Sequence, residues 1–269
     1  MRRRPAGVGT IVEVRNDLES LRAIVPDWES LAEEAAEPNP FYEHWMLLPA
    51  LEAYGPGEDF QCVLVWENGT LAGLFPMQLE RRFHGLPLHV LRSWRHRNML
   101  LCCAPLVHAK HAAKCISALL QSPLAPAIEF EWMPADGVVY AALIESALAA
   151  GLPWVVTDAY ARALLQRERD PRERFNSNMK NNLRRWQARL ASHGEVTPVR
   201  LDSGSKPEDL ARWTDEFLRL EASGWKAQQG SALDSLQSMS RKADALLSSA
   251  LRDRSDVQAR LAAQAAAAA

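Results

Sequence analysis

The spacing of hydrophobic residues changes repeatedly along the first part of the chain. Thr10–Arg15 alternates and is rich in β-branched residues, which predicts a first strand. Apolar residues at helical spacing follow around Asp27–Leu31 and again over Phe41–Leu48, before a Gly-Pro-Gly break at residues 55–57. A strand followed by two helices is therefore expected.

An Asn-Gly pair lies between two apolar runs. Phe60–Trp66 and Leu71–Leu79 are both rich in strand-forming residues, and Asn68-Gly69 lies in the short gap between them. A tight turn that matches the twist of paired strands needs positive φ at both central residues, which Asn and Gly tolerate best. These residues predict a β-hairpin.

The pattern then continues as alternating strands and helices. In chain order it predicts a strand at Leu88–Trp94, a helix at His108–Leu120, a strand at Ala127–Trp132, a helix at Gly137–Ala150 and a strand at Pro153–Thr157. An antiparallel hairpin followed by such an alternation indicates the α/β class, with a mixed sheet that carries helices on its faces.

The middle of the chain holds a basic amphipathic helix, predicted around Ser177–Leu190. Its apolar residues are separated by four, four, three and four positions, at Phe175, Met179, Leu183, Trp186 and Leu190. We expect this apolar stripe to dock on a partner surface and to join two domains. Beyond it, Glu195–Leu201 is expected to form an edge strand, because Pro198 cannot donate to a neighbour, and a helix is expected over Pro207–Ala222.

The composition is that of a globular protein with little net charge, but the charge is unevenly spread. The 269 residues are 48% hydrophobic, and 31 basic residues nearly balance 33 acidic ones. Asp17–Asp59 has eleven acids against one base, a net −10, whereas Arg162–Arg200 has ten bases against four acids, a net +6. Any anionic partner is expected to meet the middle of the chain. The acidic first part would oppose a polyanion, which argues against nucleic acid.

Cysteine, histidine and hydropathy patterns exclude several kinds of site. The four cysteines lie in apolar stretches without repeated spacing, as expected of buried thiols in a reducing compartment. The histidines and cysteines lack metal-binding spacing, so no metal is predicted. No apolar run is long enough to span a membrane or to form a signal peptide, so a soluble cytoplasmic protein is expected.

Two stretches match the letters of a pyrophosphate-binding loop but not its context. Arg4-x-x-Gly7-x-Gly9 leads into a strand instead of a helix. In Arg82-x-x-Gly85-x-Pro87 the proline removes an amide donor, so a turn is expected there.

Several short motifs resemble one family by their order along the chain. The first half contains Asn39-Pro40-Phe41 with Trp45, Gly73-Leu74-Phe75-Pro76, Trp94 with His96, and Pro105-Leu106-Val107. The second contains Ser177-x-x-Lys180-Asn181-Asn182-Leu183-Arg184-Arg185 with Leu190 and Gly194, then Phe217-Leu218-x-Leu220-Glu221-x-Ser223-Gly224-Trp225-Lys226. Over about residues 10–233, this order resembles the double-GNAT acetyltransferase-like proteins associated with cellulose biosynthesis, which are related to the Fem-type peptidoglycan aminoacyl transferases.

The resemblance implies two GNAT-like (acyl-CoA N-acyltransferase) domains. The first is expected at residues 10–166, the basic connecting helix with the start of the second at 167–233, and an Ala-rich helical or disordered tail at 234–269. The tail stands where the resemblance implies a strand, a Gly-rich turn and a helix that cradle the cofactor. The second domain is therefore expected to be truncated or altered, and the enzyme impaired.

The implied reaction moves an acyl group, most simply acetyl, from acyl-CoA to an amine or hydroxyl. The acceptor would be a small molecule or glycan of polysaccharide or cell-envelope biosynthesis. We expect Lys180, Arg184 and Arg185 to meet anionic groups of the donor or acceptor, unless they only form a solvated face. Trp225 and Lys226 are expected at the mouth of the second domain as substrate contacts, unless Trp225 is core and Lys226 solvated.

No general base can be identified from the sequence. The alternative to an enzyme is a non-catalytic interaction module whose basic helix docks an acidic partner.

Overall fold

The structure is a computed structural model that describes residues 9–57, 59–96, 102–162, 175–201 and 204–224. Its strands are β1 (Thr10–Arg15), β2 (Phe60–Glu67), β3 (Thr70–Glu80), β4 (Val90–Ser93), β5 (Leu106–Val107) and β6 (Ala127–Glu129). Its helices are α1 (Leu18–Arg22), α2 (Val25–Glu33), α3 (His44–Tyr54), α4 (Ala112–Leu120), α5 (Val138–Ala149), α6 (Ser177–Ala191) and α7 (Pro207–Ala222). The described residues fall into two compact units: one includes those up to Trp154 and from Ser205 onward, the other those from Val155 to Gly204.

The strands form one mixed sheet in the first unit. Their order is β1-β2-β3-β4-β6, and β5 pairs with β3. Neighbouring strands are antiparallel except β4 and β6, which run parallel with Val90 opposite Ala127. A parallel pair needs a crossover connection, and α4 lies within the segment that supplies it. The predicted α/β class with a mixed sheet is confirmed.

The predicted hairpin is also confirmed. β2 and β3 pair along most of their length, and Asn68 and Gly69 form the turn with φ values of 49° and 81°. Both values lie in the left-handed region that this type of turn requires.

The sheet separates two hydrophobic cores, and β2 contributes to both. Cys62, Leu64 and Trp66 belong to the core shared with α1, α2 and α3. The alternate residues Val63 and Val65 belong to the core shared with α4 and α5. Successive side chains of a strand point to opposite faces, so the near-continuous apolar run of β2 reflects burial on both sides.

Two predicted strands are wrong. Residues 153–157 and 195–201 have no regular secondary structure, and Val155 is 79% exposed. β-branched residues favour an extended backbone, but a strand also needs a neighbour that satisfies its N–H and C=O groups. Neither segment pairs with a strand in the described part of the chain.

The second unit contains α6. Its first turn is capped by Asn176, whose side-chain oxygen accepts a 2.8 Å hydrogen bond from the backbone N–H of Met179. No residue of α6 is buried within the described part of the chain, and the expectation that its apolar stripe docks stays a prediction. Among the described helices, none is both long and apolar enough to cross a bilayer.

Candidate functional site

The parallel strands β4 and β6 end at the same edge of the sheet. In open α/β sheets, ligands bind outside the carboxyl ends of the parallel strands. Here those ends are followed by Trp94–His96 and by Phe130–Trp132. The fold therefore places a candidate site at these two segments.

Arg92, in β4, lies among three carboxylates. Its guanidinium nitrogens are 2.5 Å from Glu80, 2.5 Å from Glu129 and 3.1 Å from Glu131, although the contact with Glu129 lacks hydrogen-bond geometry. Arg95 Nε donates to the second oxygen of Glu131 at 2.9 Å. Desolvation opposes the charge of Arg92, but the hydrogen bond to Glu80 and the nearby carboxylates raise its pKa above the ordinary value. The network ties β3, β4 and the end of β6 together.

Trp132 has an unusual backbone at the end of this network. Its φ is 51°, a conformation that costs a bulky residue on the order of 1–3 kcal/mol. The Arg95 guanidinium lies 5.6 Å from the centre of the Trp132 ring. The Trp132 carbonyl accepts a 3.3 Å hydrogen bond from Cys103 N. Strained residues of this kind concentrate at functional sites, which makes Trp132 a candidate contact residue.

The remaining part of this edge is filled by the chain itself. Asn39 Nδ2 donates to Ala104 O at 2.7 Å and to Cys102 O at 3.3 Å, and Cys103 N donates to Trp132 O in the segment after β6. Cys103 and Ala104 are each 1% exposed. The backbone acceptor that a ligand would meet beyond β6 is therefore already used.

Coenzyme A also requires a place for its diphosphate, and helix N-termini commonly supply one. At α5 that place is taken by Glu37, whose Oε1 accepts a 2.7 Å hydrogen bond from Val139 N. α4 has no side-chain cap, but Lys114 in its first turn lies 2.5 Å from Glu67. Hydrogen bonds from Lys114 and Thr10 lower the pKa of Glu67, which keeps a negative charge beside this helix start. The described residues of the first unit do not fit coenzyme A at these positions.

The buried thiols are poor nucleophiles. Burial raises the pKa of Cys103 and of Cys115 to about 12, and it raises the pKa of Cys62 further. These groups are neutral thiols near pH 7, whereas the thiolate is the reactive form.

The polar atoms of the His108 and Tyr42 side chains make structural contacts. His108 Nδ1 accepts a hydrogen bond from Lys110 N at 3.1 Å, and its Nε2 lies 2.7 Å from a carboxylate oxygen of Glu34. Both ring nitrogens are thus occupied. The Tyr42 hydroxyl donates to Trp94 O at 2.8 Å, and burial raises its pKa well above the ordinary value. Neither residue is placed to act as a general base.

The basic residues predicted from the sequence lie on α6 in the second unit. Lys180 and Arg184 are four residues apart and share one side of the helix, whereas Arg185 is displaced by about 100° from Arg184. All three are exposed. Trp225 and Lys226 lie outside the described residues.

Sequence reasoning missed the Arg92 network, although a signal was present. Glu129 and Glu131 alternate with apolar residues at the predicted strand end, Arg92 lies in the predicted strand at Leu88–Trp94, and Arg95 directly follows that strand. Opposite charges on neighbouring strands indicate a cross-strand network.

No protein-family model matches this chain, and no curated protein matches it. Solved structures similar to it include acetyltransferases. A GNAT-family acetyltransferase from Staphylococcus aureus is 14% identical, with 58% of this chain and 100% of the other covered at a TM-score of 0.31. An aminoglycoside N-acetyltransferase in complex with CoA is 13% identical, with 59% and 97% covered at a TM-score of 0.34.

The ribosomal-protein-alanine N-acetyltransferase from Brucella melitensis biovar Abortus is 14% identical, with 58% and 99% covered at a TM-score of 0.33. Structural likeness at this level does not identify an activity.

Proposed function

We propose that the chain is a cytoplasmic acyltransferase of the GNAT type. It would transfer an acyl group, most simply acetyl, from acyl-CoA to an amine or hydroxyl of a small-molecule or glycan acceptor in polysaccharide or cell-envelope biosynthesis. The observation that carries this proposal is that motifs from separate stretches of the family resemblance meet in the fold. Leu106–Val107 of β5, from one motif, pairs with Gly73–Leu74 of β3, from another, and Asn39 of a third motif donates to the carbonyls of residues 102 and 104, just before Pro105.

In this proposal the first unit is a structural scaffold, and its own residues occupy the positions at which a ligand was considered. Its sheet edge is filled by residues 102–104, and the start of α5 is filled by the carboxylate of Glu37. The phosphate groups of the acyl donor are therefore assigned to the basic residues of α6. Lys180 and Arg184 form the pair that one phosphate could bridge, and Arg185 follows Arg184 on the same helix. Trp225 and Lys226 are proposed as acceptor contacts on the sequence resemblance alone.

Acyl transfer sets clear chemical requirements for any such site. The nucleophile forms a bond to the acyl carbon and loses a proton, while the thioester C–S bond breaks and the coenzyme leaves as a thiol. Holding the two reactants close together in the correct orientation supplies much of the rate acceleration. A base, or a hydrogen-bond donor to the developing oxyanion, supplies the rest. His108, Tyr42 and the three buried thiols do not meet these requirements, as their contacts show.

A thiol-release assay tests the proposal. The full chain is incubated with acetyl-CoA and a panel of polyamines and amino sugars, and the free coenzyme thiol is followed with time. Release above the acceptor-free rate with one class of acceptor supports the proposal and names that class. Rates equal to the acceptor-free rate throughout the panel, in a chain that also fails to bind acetyl-CoA, would reject it.

The exposure of α6 favours a second candidate function. Its apolar side chains and its basic residues are all accessible, which is the arrangement of a docking helix. In this alternative the chain is a non-catalytic interaction module, and α6 binds an acidic partner. Such a module would bind its partner with the same affinity in the presence and absence of acetyl-CoA.

A further inference from the structure

The apolar side chains of α6 form a narrow, exposed stripe. Each residue of an α-helix turns by about 100° relative to the previous one, which places Met179, Leu183, Trp186 and Leu190 within a sector of about 60°. They are 43%, 39%, 60% and 56% exposed. A globular helix normally buries such a stripe, and no residue of α6 is buried, so the stripe is available to a covering surface.

The basic residues of α6 are arranged symmetrically about this stripe. On the same helical geometry, Lys180 and Arg189 lie about 90° to either side of its centre, and Arg184 and Arg185 lie about 130° to either side. Ser177–Ala191 contains no aspartate or glutamate. Lys180 and Arg189 therefore flank the stripe, and Arg184 and Arg185 lie on the polar face behind it.

This arrangement fits a particular kind of surface. A helix that lies in a membrane interface inserts its apolar side chains between lipids, while Lys and Arg at the borders extend to the phosphate groups. A Trp in the apolar sector is typical of such helices, because its ring favours the interface. A nucleic acid would satisfy the basic residues but would set phosphates against the stripe between them.

We propose that α6 binds the surface of a membrane that contains anionic lipids. The charge complementarity is with the cytoplasmic leaflet, whose anionic lipids attract polybasic segments. The inference goes beyond the proposed acyl transfer and would place the chain at a lipid surface. It requires neither a transmembrane segment nor a bound coenzyme.

Vesicle co-sedimentation of the full chain tests the proposal. The vesicles are phosphatidylcholine alone or phosphatidylcholine containing phosphatidylglycerol, and a sample without vesicles controls for aggregation. We expect sedimentation with the anionic vesicles only, weakened by added salt because exposed charges are screened. Excess inorganic phosphate at matched ionic strength should leave it unchanged, and competition by phosphate would instead indicate a site for a free anion.

Two matched double variants test whether vesicle binding depends on α6 or only on the net charge of the chain. Lys180→Glu with Arg189→Glu should reduce the bound fraction at least tenfold. The control, Arg212→Glu with Arg219→Glu on α7, makes the same charge change at exposed arginines that pair with acids of their own helix. It should retain most of the binding. Circular dichroism of each variant checks that the fold is kept.

A second pair of variants tests the apolar part of the contact. Trp186→Ala should weaken vesicle binding several-fold, whereas Phe217→Ala, which truncates an aromatic residue of α7 that is 57% exposed, should not. Equal binding to neutral and anionic vesicles, or equal loss in the α6 and α7 variants, would overturn the proposal. Absence of vesicle binding together with retention on an acidic protein matrix would overturn it in favour of a protein partner. Acetyl-CoA titration of Trp186→Ala, which leaves Lys180, Arg184 and Arg185 in place, tests the proposed acyl transfer separately.

Discussion

The Glu37 carboxylate caps α5 although it lies 102 residues before the amide that it binds, Val139 N, at 2.7 Å. Gly137 makes this approach possible, because a Cβ at that position would lie only 2.4 Å from Glu37 Oε1. The contact joins the loop after α2 to the start of α5. It also fills the helix terminus that would otherwise attract a phosphate.

Glu37→Ala should lower the free energy of unfolding by about 1 kcal/mol, the usual cost of losing a helix cap. Gly137→Ala should lower the free energy of unfolding by a similar amount, because the new methyl group displaces the Glu37 carboxylate. The double variant should lose less than the sum of the two, since both changes break one contact. Urea unfolding measures all three. Glu145→Gln, an exposed position on α5, is the control, and strictly additive losses would show that the two residues act independently.

Asn39 makes a second long-range contact on which the sheet edge depends. It is 1% exposed and donates to the carbonyls of Cys102 and Ala104. Asn39→Ala should lower the free energy of unfolding by about 1–3 kcal/mol, because it removes the donor from one buried and one partly buried carbonyl. Asn39→Asp should cost more, because it sets a carboxylate against those carbonyls. Asn181→Ala on exposed α6 should change stability by less than about 0.5 kcal/mol, and an equally small effect at Asn39 would contradict the assigned contacts.

A pH-dependent contribution is expected at Asp17, which caps α1. Hydrogen bonds from Ser20 lower its pKa below the ordinary value of 3.8, and Asp17 Oδ1 accepts from Ser20 N at 2.7 Å. The stability that this charge supplies is therefore fully present above pH 3.8 and is lost as the pH falls through the folded-state value.

Asp17→Asn keeps a capping side chain but removes the charge. Its stability should fall below that of the natural chain at neutral pH, and the difference should shrink as the pH is lowered through that window. Urea unfolding at several pH values tests this. A difference that stays constant down to the acid limit would show that the charge of Asp17 does not contribute.

The sequence predicted correctly those elements that are determined by a few adjacent residues. Asn68-Gly69 determines its hairpin because two adjacent residues meet the φ requirement of the turn. The strands expected at Pro153–Thr157 and Glu195–Leu201 are absent, because strand formation depends on a neighbour that composition cannot provide. The spacing of apolar residues in α6 correctly predicted a helix. Such a spacing cannot specify which surface covers the apolar side of the helix.

The candidate site was less predictable because its contacts join distant parts of the chain. Arg92 meets Glu80 and Glu131, which are 12 and 39 residues away, only after β3, β4 and β6 have paired. Glu37 likewise reaches α5 only in the finished fold. The basic residues Lys180, Arg184 and Arg185 were visible in the sequence because they lie together on one helix, and their role as an anion site stays a prediction.

Acyl-donor binding is measured most directly by isothermal titration of acetyl-CoA into the full chain. We predict saturable binding that weakens at higher salt and drops at least tenfold in Arg184→Ala with Arg185→Ala. The control pair Arg212→Ala with Arg219→Ala, on α7, should bind as the natural chain does. No saturable heat at millimolar acetyl-CoA would contradict the acyltransferase function for this chain, and unchanged affinity in the α6 pair would remove those two arginines from the site.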